Sequence, residues 1–356
     1  MTTRAGPVAA GGAALTIAAA IWFRRVVLPA RPTDAPTPHP ERLLRGSDVS
    51  TPDGAGVRIV VNPTAGPAWA RAATDELRQA LPDAEVIELD EDADLDALLR
   101  DPSSTIIGAA GGDGTLSAAA RVAAERRVPL LAVPGGTLNH LARDLGLQSA
   151  DDAIAGLRDG GIACIDLGAA GDRTFVNTLS FGGYSAVVDA RERWEGRIGK
   201  WPALVLALLR ELPRMSPCRL EIDGQRVQVW LGWIGNGAYG PPGLAPAWRE
   251  DLADGLLDVR LLHGGRLART RFVAAALLGR LSALGAYAER RTASVHLRSL
   301  DGPLRLVADG ETFDGPAELV VEKRRRALQI VLPTARLGSA EGGNEATGRC
   351  SAAQES

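Results

Sequence analysis

Residues 106–136 read IIGAAGGDGTLSAAARVAAERRVPLLAVPGG. The apolar run that starts at Ser104 (STIIGAA) has the length and composition of a buried strand. It ends in the glycine-rich turn GGDGT, 111–115. GTLSAAARVAAERR then carries helical periodicity, PLLAV is a second buried strand, and PGG opens a second glycine-rich turn. Two apolar strands joined through a helix predict a parallel pair with the helix on one face of the sheet. Each glycine turn then lies at the carboxyl end of its strand, where sheets of this kind bind ligands.

The same rhythm extends outward. VRIVVN from Val57 is a strand ending at Asn62-Pro63, and AWARAATDELRQAL is a helix with Trp69, Ala73, Leu77 and Leu81 on one face. EVIEL is a strand, DLDALLR a helix, and TLNHLARDLG a helix closed by Gly146. After about residue 162 strand-like segments dominate: IACIDLGAA, RTFVNTLSF, CRLEID, RVQVWLGWIGNG, LLDVRLLH, ASVHLRS, LRLVAD, AELVVEK and ALQIVLP. Turns between them are often glycine-bearing, which predicts an antiparallel sandwich. WPALVLALLREL (201–212) and TRFVAAALLGRLSAL (from 270) read as packing helices, with a lipid cleft between domains as their other reading. The expected organisation is an apolar leader 1–28, a Pro-rich linker 29–56, an α/β nucleotide-binding domain 57–161, a β domain 162–336 whose last strands can return to the first, and a disordered tail 337–356.

Composition removes several function classes. The chain has 356 residues and a formal net charge of −3, which argues against nucleic acid as a partner. Lys200 and Lys323 are its only lysines, and neither stands in a Walker-type phosphate loop or a protein-kinase strand motif. Cys164, Cys218 and Cys350 and the four histidines (His39, His140, His263, His296) show no zinc-ligand spacing. A dinucleotide fold would place G-x-G-x-x-G after the first strand, where NPTAG stands instead.

Three loops follow strands of the first domain: NPTAG 62–66, GGDGT 111–115 and PGGTLN 134–139. Glycines let backbone N–H groups approach phosphate oxygens, and a helix N-terminus adds unpaired donors and partial positive charge. Thr115 and Thr137 can add hydroxyls. Such a lysine-free cradle relies on Mg²⁺ to neutralise a triphosphate. An acid within it, Asp113, suggests either contact with Mg²⁺ or a hydrogen bond to a substrate group.

NPTAG, GGDGT and PGGTLNHLARDLG, in this order, resemble the catalytic domain of the bacterial diacylglycerol-kinase-like lipid kinases, a broad family that includes sphingosine and ceramide kinases. IDLG, FVNTLSFGGYSAVV, GNGAYGPPGLAPAWREDLADGLLDV and LVADGE extend the likeness to about residues 57–333. The resemblance implies a doubly wound α/β domain of phosphofructokinase and NAD-kinase type followed by an antiparallel β-sandwich. It implies an ATP- and Mg²⁺-dependent lipid kinase moving the γ-phosphate to a lipid hydroxyl, with diacylglycerol converted to phosphatidic acid. ATP would be held by Asn62, Gly111, Gly112, Asp113, Gly114, Thr115, Gly136, Thr137 and Asn139. Glu311 would accept the proton, with Asp309 as second candidate. A Mg²⁺ that shapes the site would be held by Asp251, Asp254 and the carbonyl of Leu256. A homodimer formed through the β domain is implied by the family only.

Ala65 replaces a common Ser, and Ser117-Ala118 replace a common Asn-Glu, which bears on nucleotide contacts. Two other readings stay open: a soluble nucleotide kinase of NAD-kinase type, and a lipid- or nucleotide-binding protein without catalysis. Residues 6–23 carry no charge and as a helix would span about 27 Å. Arg24, Arg25 and Arg31 follow them, against Arg4 before. That asymmetry predicts a membrane anchor or interfacial helix with the kinase on the cytoplasmic face of the plasma membrane; the other reading is a leader without order, leaving the chain in the cytoplasm.

Overall fold

A computed structural model describes residues 44–90, 93–136, 138–183, 216–240, 248–249, 251–264 and 287–337, with a few positions between 188 and 210. The first strand, β1 (Leu44–Asp48), is followed by β2 (Val57–Val61), α1 (Pro67–Ala80), β3 (Glu85–Glu88), α2 (Leu95–Leu99), β4 (Ile106–Gly111), α3 (Asp113–Arg126), β5 (Leu130–Pro134), α4 (His140–Asp144) and α5 (Ala150–Asp159). β2 pairs in parallel with both β3 and β4, and β4 with β5, giving the order β5-β4-β2-β3.

Alternation along these strands fills two cores. Val60, Ile107, Ala109, Leu130 and Ala132 point to one face, where Leu116, Ala119, Ala120 and Ala123 of α3 cover them. Ile59, Val61, Ala110, Leu131 and Val133 point to the other, under Ala70 and Leu77 of α1 and Ile154 and Leu157 of α5. Each fully buried Leu or Ile contributes about 1.5–3 kcal/mol. α5 begins in a capping box, with Ser149 and Asp152 satisfying each other's backbone N–H groups. The winding reverses between β2 and β4, so the loops after these two strands diverge and open a crevice.

The β region consists of β6 (Gly161–Ala170), β7 (Arg173–Phe175), β8 (Thr178–Gly182), β9 (Cys218–Ile222), β10 (Gln225–Asn236), β11 (Tyr239–Gly240), β12 (Trp248–Arg249), β13 (Leu257–His263), β14 (Tyr287–Thr292), β15 (Ser294–Ser299), β16 (Leu304–Ala308), β17 (Glu311–Gly315) and β18 (Glu318–Leu332). Its strands pair antiparallel around a core that includes Phe175, Phe181, Leu220, Ile234, Val259, Leu297 and Leu306. The fold is thus a doubly wound α/β unit followed by an antiparallel β-sandwich. β18 joins the two: Glu318–Glu322 pair with β15, while Ile330 pairs in parallel with Leu130 of β5.

Three expectations need revision or fall outside the described residues. Leu44–Asp48, expected within a linker, forms β1 and pairs with β6, because Leu44 and Arg45 find open backbone partners at Cys164 and Ala163. RTFVNTLSF is broken at Val176-Asn177, whose amides turn away to a side chain described below. Segments 6–23 and 271–284, most of 201–212, and the tail from 338 lie outside the described residues.

Candidate active site

At the β2/β4 crevice the three glycine loops are tied together by side chains that the sequence placed in them. Asn62 Nδ2 donates to Thr115 Oγ1 at 2.9 Å, and its Oδ1 accepts from Thr64 N at 3.0 Å. Asp113, the first residue of α3, accepts the His140 backbone N–H at 2.5 Å, linking the second loop to the third. Asn139 accepts from Gly136 N at 2.8 Å and donates back to Gly136 O at 2.7 Å, held in a left-handed conformation with φ 49°. Gly135 N donates to Gly111 O at 2.8 Å. Thr137 lies outside the described residues.

The glycines here have distinct reasons. A Cβ on Gly136 would stand 2.6 Å from Gly112 Cα and 2.9 Å from Asn139 Oδ1, so two backbones touch there. A Cβ on Gly114 would meet nothing within 4 Å. Gly114 therefore faces open space at the start of α3, beside backbone N–H groups that have no partner within the helix. This opening suits the phosphates of a nucleotide, with helix N-terminus and crevice on the same side.

Asp309 and Gly310 form the two-residue turn between β16 and β17, with φ 49° and 93° and Ala308 paired to Glu311. The Asp309 carboxylate accepts three backbone N–H groups, from Val176 at 2.7 Å, Asn177 at 2.8 Å and Thr178 at 2.9 Å. These are the amides that break the expected strand. Burial pushes the Asp309 carboxyl up, and the three amides oppose that shift only in part. The Ser117 hydroxyl of α3 is buried without a hydrogen-bond partner among the described residues. Glu311 is exposed and pairs with Arg173 Nη2 at 2.5 Å, while the Arg173 guanidinium lies 4.5 Å from the Phe313 ring centre. An exposed pair of this kind holds by only about 0–1 kcal/mol and opens readily.

A buried polar network that sequence reasoning missed supports both sides. Arg249 is fully buried; its Nε meets Asp144 Oδ2 at 2.7 Å, Nη1 donates to Val176 O at 2.7 Å, and Nη2 to Asn177 Oδ1 at 3.0 Å. Asn236 Nδ2 donates to Asp166 O at 2.9 Å and Val176 O at 2.8 Å, and Tyr239 Oη to Asn177 O at 3.1 Å. α4, which follows the third glycine loop, is thereby fixed to the backbone that holds Asp309. Burial opposes the charge on Arg249, yet Tyr239 and Asp144 beside it keep the guanidinium above its ordinary range.

In the 251–256 turn, the groups expected to hold Mg²⁺ meet protein donors. Asp251 Oδ1 accepts Ala253 N at 2.8 Å; Asp254 Oδ2 accepts Ala238 N and Oδ1 accepts Leu256 N, each at 2.9 Å. Lys323 Nζ donates to Leu256 O at 2.9 Å and to Asp254 Oδ1 at 3.3 Å, two of the three groups expected to ligate Mg²⁺. A divalent ion needs open oxygens at about 2.0–2.1 Å in octahedral array. Here Leu256 O and Asp254 Oδ1 accept from Lys323 Nζ, and among the described residues no group of three or more acids, histidines or cysteines converges as a metal site. Burial lowers the pKa of Lys323, while Asp254 and Asp166 pull the other way.

The sequence profile of the diacylglycerol kinase catalytic domain matches residues 56–170, the span of the three loops. A diacylglycerol kinase of Mycobacterium tuberculosis is 30% identical over 239 residues, covering 63% of this chain and 75% of that protein. A protein of Pseudomonas putida named probable lipid kinase YegS-like is 31% identical over 236 residues, covering 64% and 77%. A crystal structure described as a diacylglycerol kinase from Bacillus anthracis str. Sterne superposes with a TM-score of 0.55 at 18% identity, over 81% of this chain and 100% of that one. With motif order, fold and these likenesses in agreement, the chain belongs to the diacylglycerol-kinase catalytic-domain family and is a lipid kinase.

Proposed function

We propose that this lipid kinase transfers the γ-phosphate of ATP to the free hydroxyl of diacylglycerol, giving phosphatidic acid and ADP. The observation that carries the reading is the open space over Gly114, framed by three interlocked loops. The triphosphate lies across Gly112–Thr115 and Gly136, where backbone N–H groups bind its oxygens. Mg²⁺ accompanying the nucleotide supplies charge neutralisation, and Asp113 Oδ2, which has no partner among the described residues, is the carboxylate oxygen open to it.

Glu311 takes the hydroxyl proton as the lipid oxygen bonds to the γ-phosphorus and the bond to ADP breaks. It is the better base of the two acids, because its only tie among the described residues is the exposed Arg173 pair. Asp309, with three N–H groups on its carboxylate, has few lone pairs to offer and positions the turn instead. Phosphoryl transfer through a loose transition state depends on positioning more than on a strong base. We also infer that the enzyme works at the cytoplasmic membrane surface, where its water-insoluble substrate resides, with residues 6–23 as its attachment.

Labelled ATP incubated with vesicles containing diacylglycerol, ceramide and free NAD tests the reading. Label should enter phosphatidic acid. Label in NAD with none in lipid would rule out the proposal.

A further inference from the structure

Only two lysines occur in a chain with 40 basic residues, and one of them is buried. Lys323 stands on β18 just before the register shift between Arg324 and Leu328, which leaves Arg325–Ala327 opposite Asp166 alone. Its side chain has no exposure. Besides Leu256 O and Asp254 Oδ1, its Nζ stands 3.7 Å from Asp166 Oδ2. Three oxygens from two separate segments therefore converge on one positive charge. Both Asp166 oxygens are also engaged by backbone: Oδ1 accepts Arg326 N at 2.7 Å and Oδ2 accepts Gly255 N at 2.8 Å. A compact ammonium with three divergent donors suits such a set, whereas the planar guanidinium used at nearly every other basic position does not.

We propose that the Lys323 ε-ammonium is the resident cation of this turn, taking the place that a divalent ion would hold, so that the site is ordered without bound metal. The consequence is positional. Leu256 O also accepts Gly237 N at 3.1 Å, and Asp254 Oδ2 accepts Ala238 N. Gly237 and Ala238 follow Asn236, whose amide holds Val176 O, and Val176 N holds Asp309. Lys323 is thus a positioning residue for the Asp309–Glu311 turn, acting through β10. Divalent metal then enters only with the nucleotide. The inference concerns the protein without nucleotide and stands or falls apart from the identity of the lipid.

The test is thermal unfolding and Mn²⁺ binding on the full chain, without nucleotide, for wild type, Lys323→Ala and Lys323→Ser. Wild-type Tm should be the same with chelator and with excess Mg²⁺, and the chain should take up no Mn²⁺. Removing the ammonium leaves two acids around a vacated space. Both variants should melt lower than wild type in chelator, regain at least about 2 °C with Mg²⁺, and bind one Mn²⁺. A lysine that only filled space would give variants with no metal response. Wild type that loses Tm on chelation or binds one Mn²⁺ would overturn the proposal, as would folded variants that bind none. If neither variant folds, the wild-type measurements decide alone.

Discussion

Gly114 separates ligand binding from folding at a single residue. It lies in the first turn of α3 with empty space beside it, so Ala there adds a methyl that no protein atom opposes. Ala is the better helix former by about 1 kcal/mol. Gly114→Ala should leave Tm equal or slightly raised while weakening ATP binding at least tenfold, measured by calorimetric titration beside thermal melts. Unchanged affinity would mean that the phosphates do not cross the start of α3. Gly136→Ala differs, since its methyl meets Gly112 Cα and should lower both Tm and affinity. A second residue reports on charge. Asp223, in the turn between β9 and β10, is pushed up by partial burial, but the His296 amide and the Arg290 guanidinium outweigh this and hold it below 3.8. Ionised Asp223 therefore adds stability above that pH, and the gain is lost as pH falls through the folded value. Asp223→Asn should lower Tm by about 1 °C at pH 7 and by less at pH 3. An equal loss at both pH values would remove the carboxylate charge from the explanation.

At the scale of elements, the Asp144–Arg249 pair fastens α4 to β12 and, through Val176 and Asn177, to the turn carrying Asp309. Replacing one partner strands a charge away from water. Asp144→Asn should cost about 3–5 kcal/mol in urea unfolding, and the double change Asp144→Leu with Arg249→Met should recover much of it. A single-variant loss below about 1 kcal/mol would show that the pair carries little. These ties also mark what the sequence could and could not disclose. The glycine loops were legible because continuous apolar runs end at them, and NPTAG, GGDGT and PGGTLN are short local signals. Lys323 was not legible: in VVEKRRR it reads as one of a solvated charged run, and its partners Asp254 and Leu256 lie more than sixty residues away. Asp166 was visible only as part of IDLG, because the amides it accepts, on Gly255 and Arg326, come from distant segments. β1 was hidden by neighbouring prolines, since an edge strand paired to β6 has no periodicity of its own to announce it.

For the whole molecule, β18 makes the two regions one hydrogen-bonded sheet, so we propose that the α/β and β units move little against each other at the crevice. Among the described residues no helix is long and apolar enough to cross a membrane; we propose that the segment before β1 carries the attachment. Because Leu44–Asp48 pair with β6, a truncated chain should begin at residue 44 to keep that strand. Removal of 1–43 should leave Tm within about 1 °C while reducing vesicle partitioning severalfold. Equal partitioning would place the membrane contact elsewhere.

The central claim is that ATP bound across Gly114 reacts with a lipid hydroxyl whose proton passes to Glu311. Single-turnover transfer from labelled ATP to diacylglycerol vesicles, comparing wild type with Glu311→Gln beside direct ATP titration, tests it most directly. The account predicts ATP affinity within about twofold and a transfer rate reduced by about 10²–10⁴. Undiminished transfer by Glu311→Gln with ATP bound normally would contradict it.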